Sequence, residues 1–338
     1  MKFRIVACCT ANFHVNSSKD PQASIRLDAH NSPPDTMATR RWVVHTLACW
    51  VLATYCVQNA AAVEDFPAVV GAYEVQFDGD VLSIASATDT STRVWETVSG
   101  TPFIQVSGGT FAVKETSGMF TVTSDAKWST NNVTVAGWQH AGARAAASGS
   151  LHGIEVVGTV SSPSAQFFFV LTLTADASGL NFALEVNRSS VAAPWQGLRA
   201  TSDDYPADRI ALVYASPSDE VIFGMGSSYT YLNLKGRTVP VITSEQGVGR
   251  GLEPVTFLLN LLKNGAGGNW HTTYAPVPHY VTSRNVSFHL SNTQYSVFDF
   301  SASDSISVEV VTGADSLVLQ GALLSAASPL KVRRPCAC

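Results

Sequence analysis

The stretch SEQGVGRG, Ser244 to Gly251, groups a carboxylate (Glu245), an amide (Gln246) and a guanidinium (Arg250) among three glycines. Glycines spaced this way can cradle a phosphate on backbone N–H groups, tighten a hairpin, or hold polar side chains at the mouth of a pocket. A second glycine-rich turn, NGAGGNW, leads into HTTYAPVPHY, which brings Trp270, His271, Tyr274, His279 and Tyr280 together around two prolines. Aromatics and imidazoles on one loop suit the faces of sugars, because ring C–H groups stack on π surfaces while polar edges take hydroxyls. The same residues suit a loop packed against a neighbouring domain equally well. A metal at His271 and His279 lacks a third ligand nearby; no metal and no other cofactor is expected.

The phosphate alternative fails on context. A dinucleotide fingerprint needs a strand before it, a helix after it and an acidic residue about 20 positions on. Here EPVTFLLNLL follows, which is strand-like, and Pro254 is expected to interrupt a helix. A plain glycine hairpin and a pocket mouth remain.

The elements that must position these loops are strands. AYEVQF, VLSIAS, TFAVKE and MFTVTS alternate with period 2, as half-buried strands do. The turns FDGDV and ETSGM carry the glycines that tight connections need. FFFVLTLTADASGLNFALEVN reads as a hairpin, VSFHLSNTQYSVFDFS as another around Ser291-Asn292, and further pairs follow at ISVEVV and SLVLQG. Only Ala141 to Ala147 looks locally helical. Many short strands with almost no helix predict an all-β sandwich or barrel, with no βα alternation and no repeat.

Composition narrows the function classes. The chain has 338 residues, 46% hydrophobic and 14% charged, with net charge −5; there is no basic footprint for nucleic acid and no Lys/Arg cluster for an anionic membrane. The six cysteines lie at 8, 9, 49, 56, 336 and 338, so the body is neither a disulfide scaffold nor a thiolate metal site. Residues 37–62 read as a signal peptide, with Arg40 and Arg41, the apolar run Trp42 to Val57, and Ala60-Ala61-Ala62 as cleavage site. The alternatives are a membrane anchor, although the run is short of the roughly 20 residues a span needs, and a buried helix. Residues 1–36 read as a non-structural leader. A secreted location is expected, with no membrane contact after cleavage. The sequons at Asn132, Asn187 and Asn285 are glycosylation candidates that fit it.

These stretches resemble family 31 of the glycoside hydrolases, in particular its sulfoquinovosidase-like, α-glucosidase-like members. FGMGSSYTYLNLKGRTVPVITSEQGVGRG resembles that subgroup's GxGEQFxxxxLKGxxxPxxxxEQGVGRG segment, and TTYAPVPHYVTSRNVSFHL is similar to the wider family's xPFYxxxRGYGxxL stretch. VLSIASATDTSTRVWETVSGTPFI is similar to an early strand pair. The resemblance covers roughly Val70 to Gln320. It implies a large antiparallel β-sandwich of the galactose-mutarotase-like type, spanning 63–320, placed before a (β/α)8 barrel that carries two catalytic aspartates in a retaining mechanism. It also implies that Glu245, Gln246 and Arg250, with the Trp270 to Tyr280 loop (Trp270, His271, Tyr274, His279, Tyr280), form a substrate rim and not a complete pocket. No catalytic residue is expected in this chain, since nothing in it resembles the barrel's nucleophile segment.

Two departures stand out. Ser227-Ser228 occupy the usual Glu-Gln position, and residues 321–338 read as a tail foreign to the family. The expected function is the N-terminal, non-catalytic carbohydrate-binding and packing domain of a family 31 α-glycosidase, truncated before its barrel. Its partners are an α-glycoside and its own barrel. The alternatives are a free-standing lectin-like sugar-binding module and a purely structural or adhesive sandwich.

Overall fold

The computed structural model describes residues 64–87, 89–116, 118–141, 153–163, 165–176, 179–187, 205–227, 230–247, 249–263, 265–313 and 317–325. The leader, the signal peptide, all six cysteines, all but the first residue of the Ala141–Ala147 run, and residues 326–338 lie outside these.

Eighteen strands among the described residues form three antiparallel sheets. The first holds β1 (Ala68–Val70), β2 (Tyr73–Phe77), β3 (Leu82–Ser86) and β4 (Asp89–Glu96) in chain order. The second has eight strands, β12 (Ile222–Gly226), β14 (Pro276–Thr282), β15 (Val286–Leu290), β18 (Leu317–Ser325), β10 (Gly179–Asn187), β9 (Gln166–Asp176), β8 (Gly153–Ser161) and β7 (Asn132–His140), paired in that order. The third runs β13 (Thr238–Val241), β16 (Ser296–Asp299), β17 (Ser305–Val311), β11 (Ala207–Ala215), β5 (Ile104–Thr116) and β6 (Met119–Ser129).

Period-2 burial explains the layering. Phe167, Phe169, Leu171 and Leu173 of β9 and Leu180, Phe182, Leu184 and Val186 of β10 are buried, while the residues between them face outward. Rings of the eight-stranded sheet meet those from the opposite side: Phe103, just before β5, approaches Phe169 edge-on at 6.2 Å, and Tyr214 of β11 stacks on Phe288 of β15 at 5.6 Å. The first sheet joins the same core through Val75, Ile84 and Trp95, whose ring lies 5.7 Å from Tyr214. Opposed inner faces sharing one apolar core make a β-sandwich, the all-β class expected.

Three readings of the sequence change. Val286–Leu290 and Ser296–Asp299 are not a hairpin: β15 pairs with β14 and β18, β16 with β13 and β17, so the chain crosses from one sheet to the other at Ser291–Tyr295. β17 and β18 are likewise split between sheets. The sandwich also runs past Gln320, because Gly321–Ser325 complete β18 and pair with both β10 and β15.

The third correction concerns EPVTFLLNLL. Val255–Leu262 is a helix, α1, with Pro254 at its N-cap. There the missing N–H has no helical acceptor to lose, so the proline starts the helix instead of breaking it.

Candidate functional site

The two glycine-rich loops fold against each other at the sandwich edge, between β13 and α1 and between α1 and β14. Thr272 is the hub. Its hydroxyl accepts from Asn269 N at 3.2 Å and from Arg250 Nη1 at 3.1 Å, and its one proton has Asn269 O at 2.8 Å and Gln246 O at 3.1 Å to choose from. Arg250 Nη1 also donates to Thr272 O at 2.5 Å and Asn269 O at 3.2 Å. Arg250 therefore clamps one loop to the other through charge-assisted bonds. Gln246 contributes its backbone carbonyl to the same junction.

The glycine question has a geometric answer. Gly247 has φ +93°, and a Cβ there would lie 2.2 Å from Gly267 O. The two loops touch backbone to backbone, which only residues lacking Cβ permit. These glycines make close approach possible, not a phosphate cradle.

Glu245 is exposed and its Oε2 accepts from the Tyr274 hydroxyl. That bond to a carboxylate, with burial and charge adding to it, holds the Tyr274 phenol above its ordinary pKa. Earlier in the same loop, Trp270 is half-buried, edge-on to Tyr231 at 5.4 Å and to His271 at 5.2 Å. The Arg237 guanidinium lies 3.3 Å from the centre of the Tyr231 ring and 5.7 Å from that of Trp270, a cation–π arrangement. Burial lowers the His271 pKa. A polar cluster around the buried Ser216 and Glu220 anchors the segment carrying Tyr231 and Arg237. Lys235 Nζ donates to Ser216 O at 3.1 Å and Oγ at 2.8 Å, while Glu220 accepts from Ser216 Oγ at 2.6 Å and Arg284 Nε at 2.9 Å.

Thus Glu245 meets Tyr274, Gln246 and Arg250 meet Thr272, and Trp270 and His271 stand with Tyr231 and Arg237; two expected residues lie elsewhere. Tyr280 is 2% exposed; its ring stacks on Phe288 at 5.7 Å and meets Phe298 and Phe300 edge-on, so it belongs to the core and not to the loop surface. His279, the preceding residue, points to the opposite face of β14, where its Nε2 pairs with Ser287 Oγ at 2.7 Å. Burial, then His289, lowers its pKa. Among the sequons, Asn132 and Asn187 are exposed at strand ends, and Asn285 sits in the β14–β15 turn with φ +60°. Ser227 bonds Ala275 and Thr273 through its backbone. Thr272, Tyr231 and Arg237 escaped the sequence reading: threonine has no chemical signature of its own, and the cation–π pair spans a turn.

The fold and site define a β-sandwich with a locked pair of glycine loops at one edge. No family model matches the chain. Two curated relatives are sulfoquinovosidases. That of Escherichia coli (strain K12) is 35% identical over 105 residues, 31% of this chain and 16% of that protein. That of Agrobacterium fabrum is 33% identical over 113 residues, 33% of this chain and 17% of that protein. A solved family 31 sulfoquinovosidase from E. rectale, in complex with an aza-sugar inhibitor, aligns over 76% of this chain and 33% of its own, with TM-score 0.54 and 18% identity. The chain is similar to sulfoquinovosidases and carries a sulfoquinovosidase-like region of the glycoside hydrolase family 31 type. It spans about one sixth of the length of the two curated relatives.

Proposed function

We propose that this region is the N-terminal sandwich of a secreted family 31 α-glycosidase, of the galactose-mutarotase-like type. It binds and packs, and does not cut: its loop pair forms part of the rim of a sugar pocket that a catalytic (β/α)8 barrel completes. The observation that carries this reading is helix α1, which flanks the loop pair and is turned inside out. Its one buried residue is polar, Thr256, whose Oγ1 donates to Gly249 O, and the exposed Asn260 reaches back through Nδ2 to Gly268 O at 3.3 Å. Phe257 (61% exposed), Leu261 (67%) and Leu262 (71%) face outward with Val255 and Leu258. A soluble helix hides its apolar stripe, and an apolar surface of this kind marks a packing partner.

Beside that surface, Glu245 and Tyr274 offer hydroxyl-binding groups. Glycoside hydrolysis needs two carboxyl groups about 5–5.5 Å apart across the bond in a retaining enzyme. At the loops Glu245 is engaged by Tyr274, and Glu253 accepts from Phe257 N at 3.2 Å. The test is calorimetric titration of the chain with sulfoquinovose and glucose, alongside nitrophenol release from the corresponding α-glycosides. Sugar binding that is lost in Glu245→Gln, without turnover, is the expected result. Turnover that survives further purification, or no binding to either sugar, overturns the reading.

A further inference from the structure

The β5–β6 hairpin outgrows the sheet it belongs to. β5 pairs with β11 only from Ile104 to Gly108; from Gly109 to Thr116 its partner is β6. The projecting part is a two-stranded ribbon exposed on both faces, and such a ribbon is marginally stable in water without further support. It is held at three points. At its base, the buried Arg209 donates from Nη2 to Thr110 O at 2.7 Å. Along its length, Phe111 lies 5.6 Å from Tyr295, ring to ring.

The third point is the tip, and it falls on the candidate site. Glu245 N donates to Gly118 O at 2.9 Å. The buried Ser244 hydroxyl donates to the same carbonyl at 3.3 Å and accepts from Phe120 N at 3.4 Å. Gly118 has φ +79°, and a Cβ there would lie 2.6 Å from Glu245 Cγ. The Glu245 side chain thus runs across the bare Cα of Gly118 on its way to Tyr274.

We infer that Gly118 is a positioning residue for Glu245. The ribbon tip, together with Ser244, fixes the direction of the carboxylate so that Oε2 takes the Tyr274 hydroxyl and Oε1 faces a sugar hydroxyl donor. The sugar part rests on the function proposed above; the positioning part does not. Among the described residues Oε1 has no hydrogen-bond partner, so its lone pairs are open to a ligand hydroxyl. The ribbon acts as a strut from the six-stranded sheet to the site.

The test uses the full chain with tyrosines labelled at ¹³Cζ, the Tyr274 signal being assigned with Tyr274→Phe. In Gly118→Ala the new methyl displaces the carboxylate, so the Tyr274 phenol falls back to its ordinary titration range. Sulfoquinovose affinity drops at least tenfold, as in Glu245→Gln. Gly79→Ala, also at positive φ (+101°) but with nothing within 4 Å of its Cβ, leaves both readouts alone. Should Gly118→Ala fail to fold, Ser244→Ala removes the hydroxyl bridge without adding bulk and moves Tyr274 in the same direction. An unshifted Tyr274 titration in the folded variants overturns the inference. A wild-type chain that binds no sugar, but whose Tyr274 titration shifts in Gly118→Ala, overturns the sugar reading and leaves the positioning standing.

Discussion

Tyr214 Oη and Tyr280 Oη lie 2.5 Å apart in the middle of the sandwich, one hydroxyl from each of its two large sheets. Removing either hydroxyl leaves the other buried without this partner, which costs about 1–3 kcal/mol. Tyr280→Phe and Tyr214→Phe should each lower stability by that much, and the double variant by less than their sum, measured in urea as a double-mutant cycle. Burial raises both phenols. The unfolded chain alone releases these protons as pH rises past about 10, so stability is full below that pH and falls above it.

Gly247 and Gly251 separate a steric cost from a conformational one. Both have positive φ, +93° and +80°, but a Cβ at 251 meets nothing within 4 Å, whereas at 247 it meets the Gly267 carbonyl. Gly251→Ala should cost about 1 kcal/mol from backbone strain alone. Gly247→Ala must also part the loops, adding about 1–3 kcal/mol and raising amide exchange at Asn269 and Thr272. Equal losses for the two would contradict the close-contact account.

Burial lowers the pKa of His271 and His279. The unfolded chain therefore takes up protons first as pH falls through about 6.5, and the folded state loses stability from there downward while keeping it above. The urea midpoint should be lower at pH 5 than at pH 7.5. Replacing both histidines with asparagine should shrink that difference; an unchanged difference would place the titrating groups elsewhere.

On α1, Leu261 and Leu262 are solvent-facing, so Leu261→Lys/Leu262→Lys should change stability by less than about 0.5 kcal/mol. The same change should sharply reduce hydrophobic-dye binding and self-association seen by light scattering. A large loss of stability would mean that the helix packs inward after all.

The strands were legible because a half-buried sheet writes period 2 into its sequence, as Phe167 to Leu173 shows. Sheet membership was not. Ser291-Asn292 is as good a pair of residues for a crossover as for a hairpin, and no local preference distinguishes them. The helix α1 misled because five of its six apolar residues are exposed while its one buried residue is the polar Thr256, the reverse of the pattern that identifies helices. At the loops, the composition singled out two segments that fold against each other. Which of His279 and Tyr280 faces outward depends on strand register, a tertiary fact, and Gly118 meets Glu245 only because a distant hairpin reaches it.

The position of β18 has a bearing on biosynthesis. This strand lies between β10 and β15 in the eight-stranded sheet, yet it is the last of the described strands to leave the ribosome. At roughly 5–20 residues per second, the nascent chain carries β7–β10 as one half-sheet and β12, β14 and β15 as the other for several seconds, each with a bare edge awaiting Leu317–Ser325. Bare edges recruit strands from other chains, and neighbouring ribosomes on one message supply identical ones. Arrival of the last strand closes both edges at once, so the interval before it is when nascent chains are most open to mispairing and most in need of a chaperone.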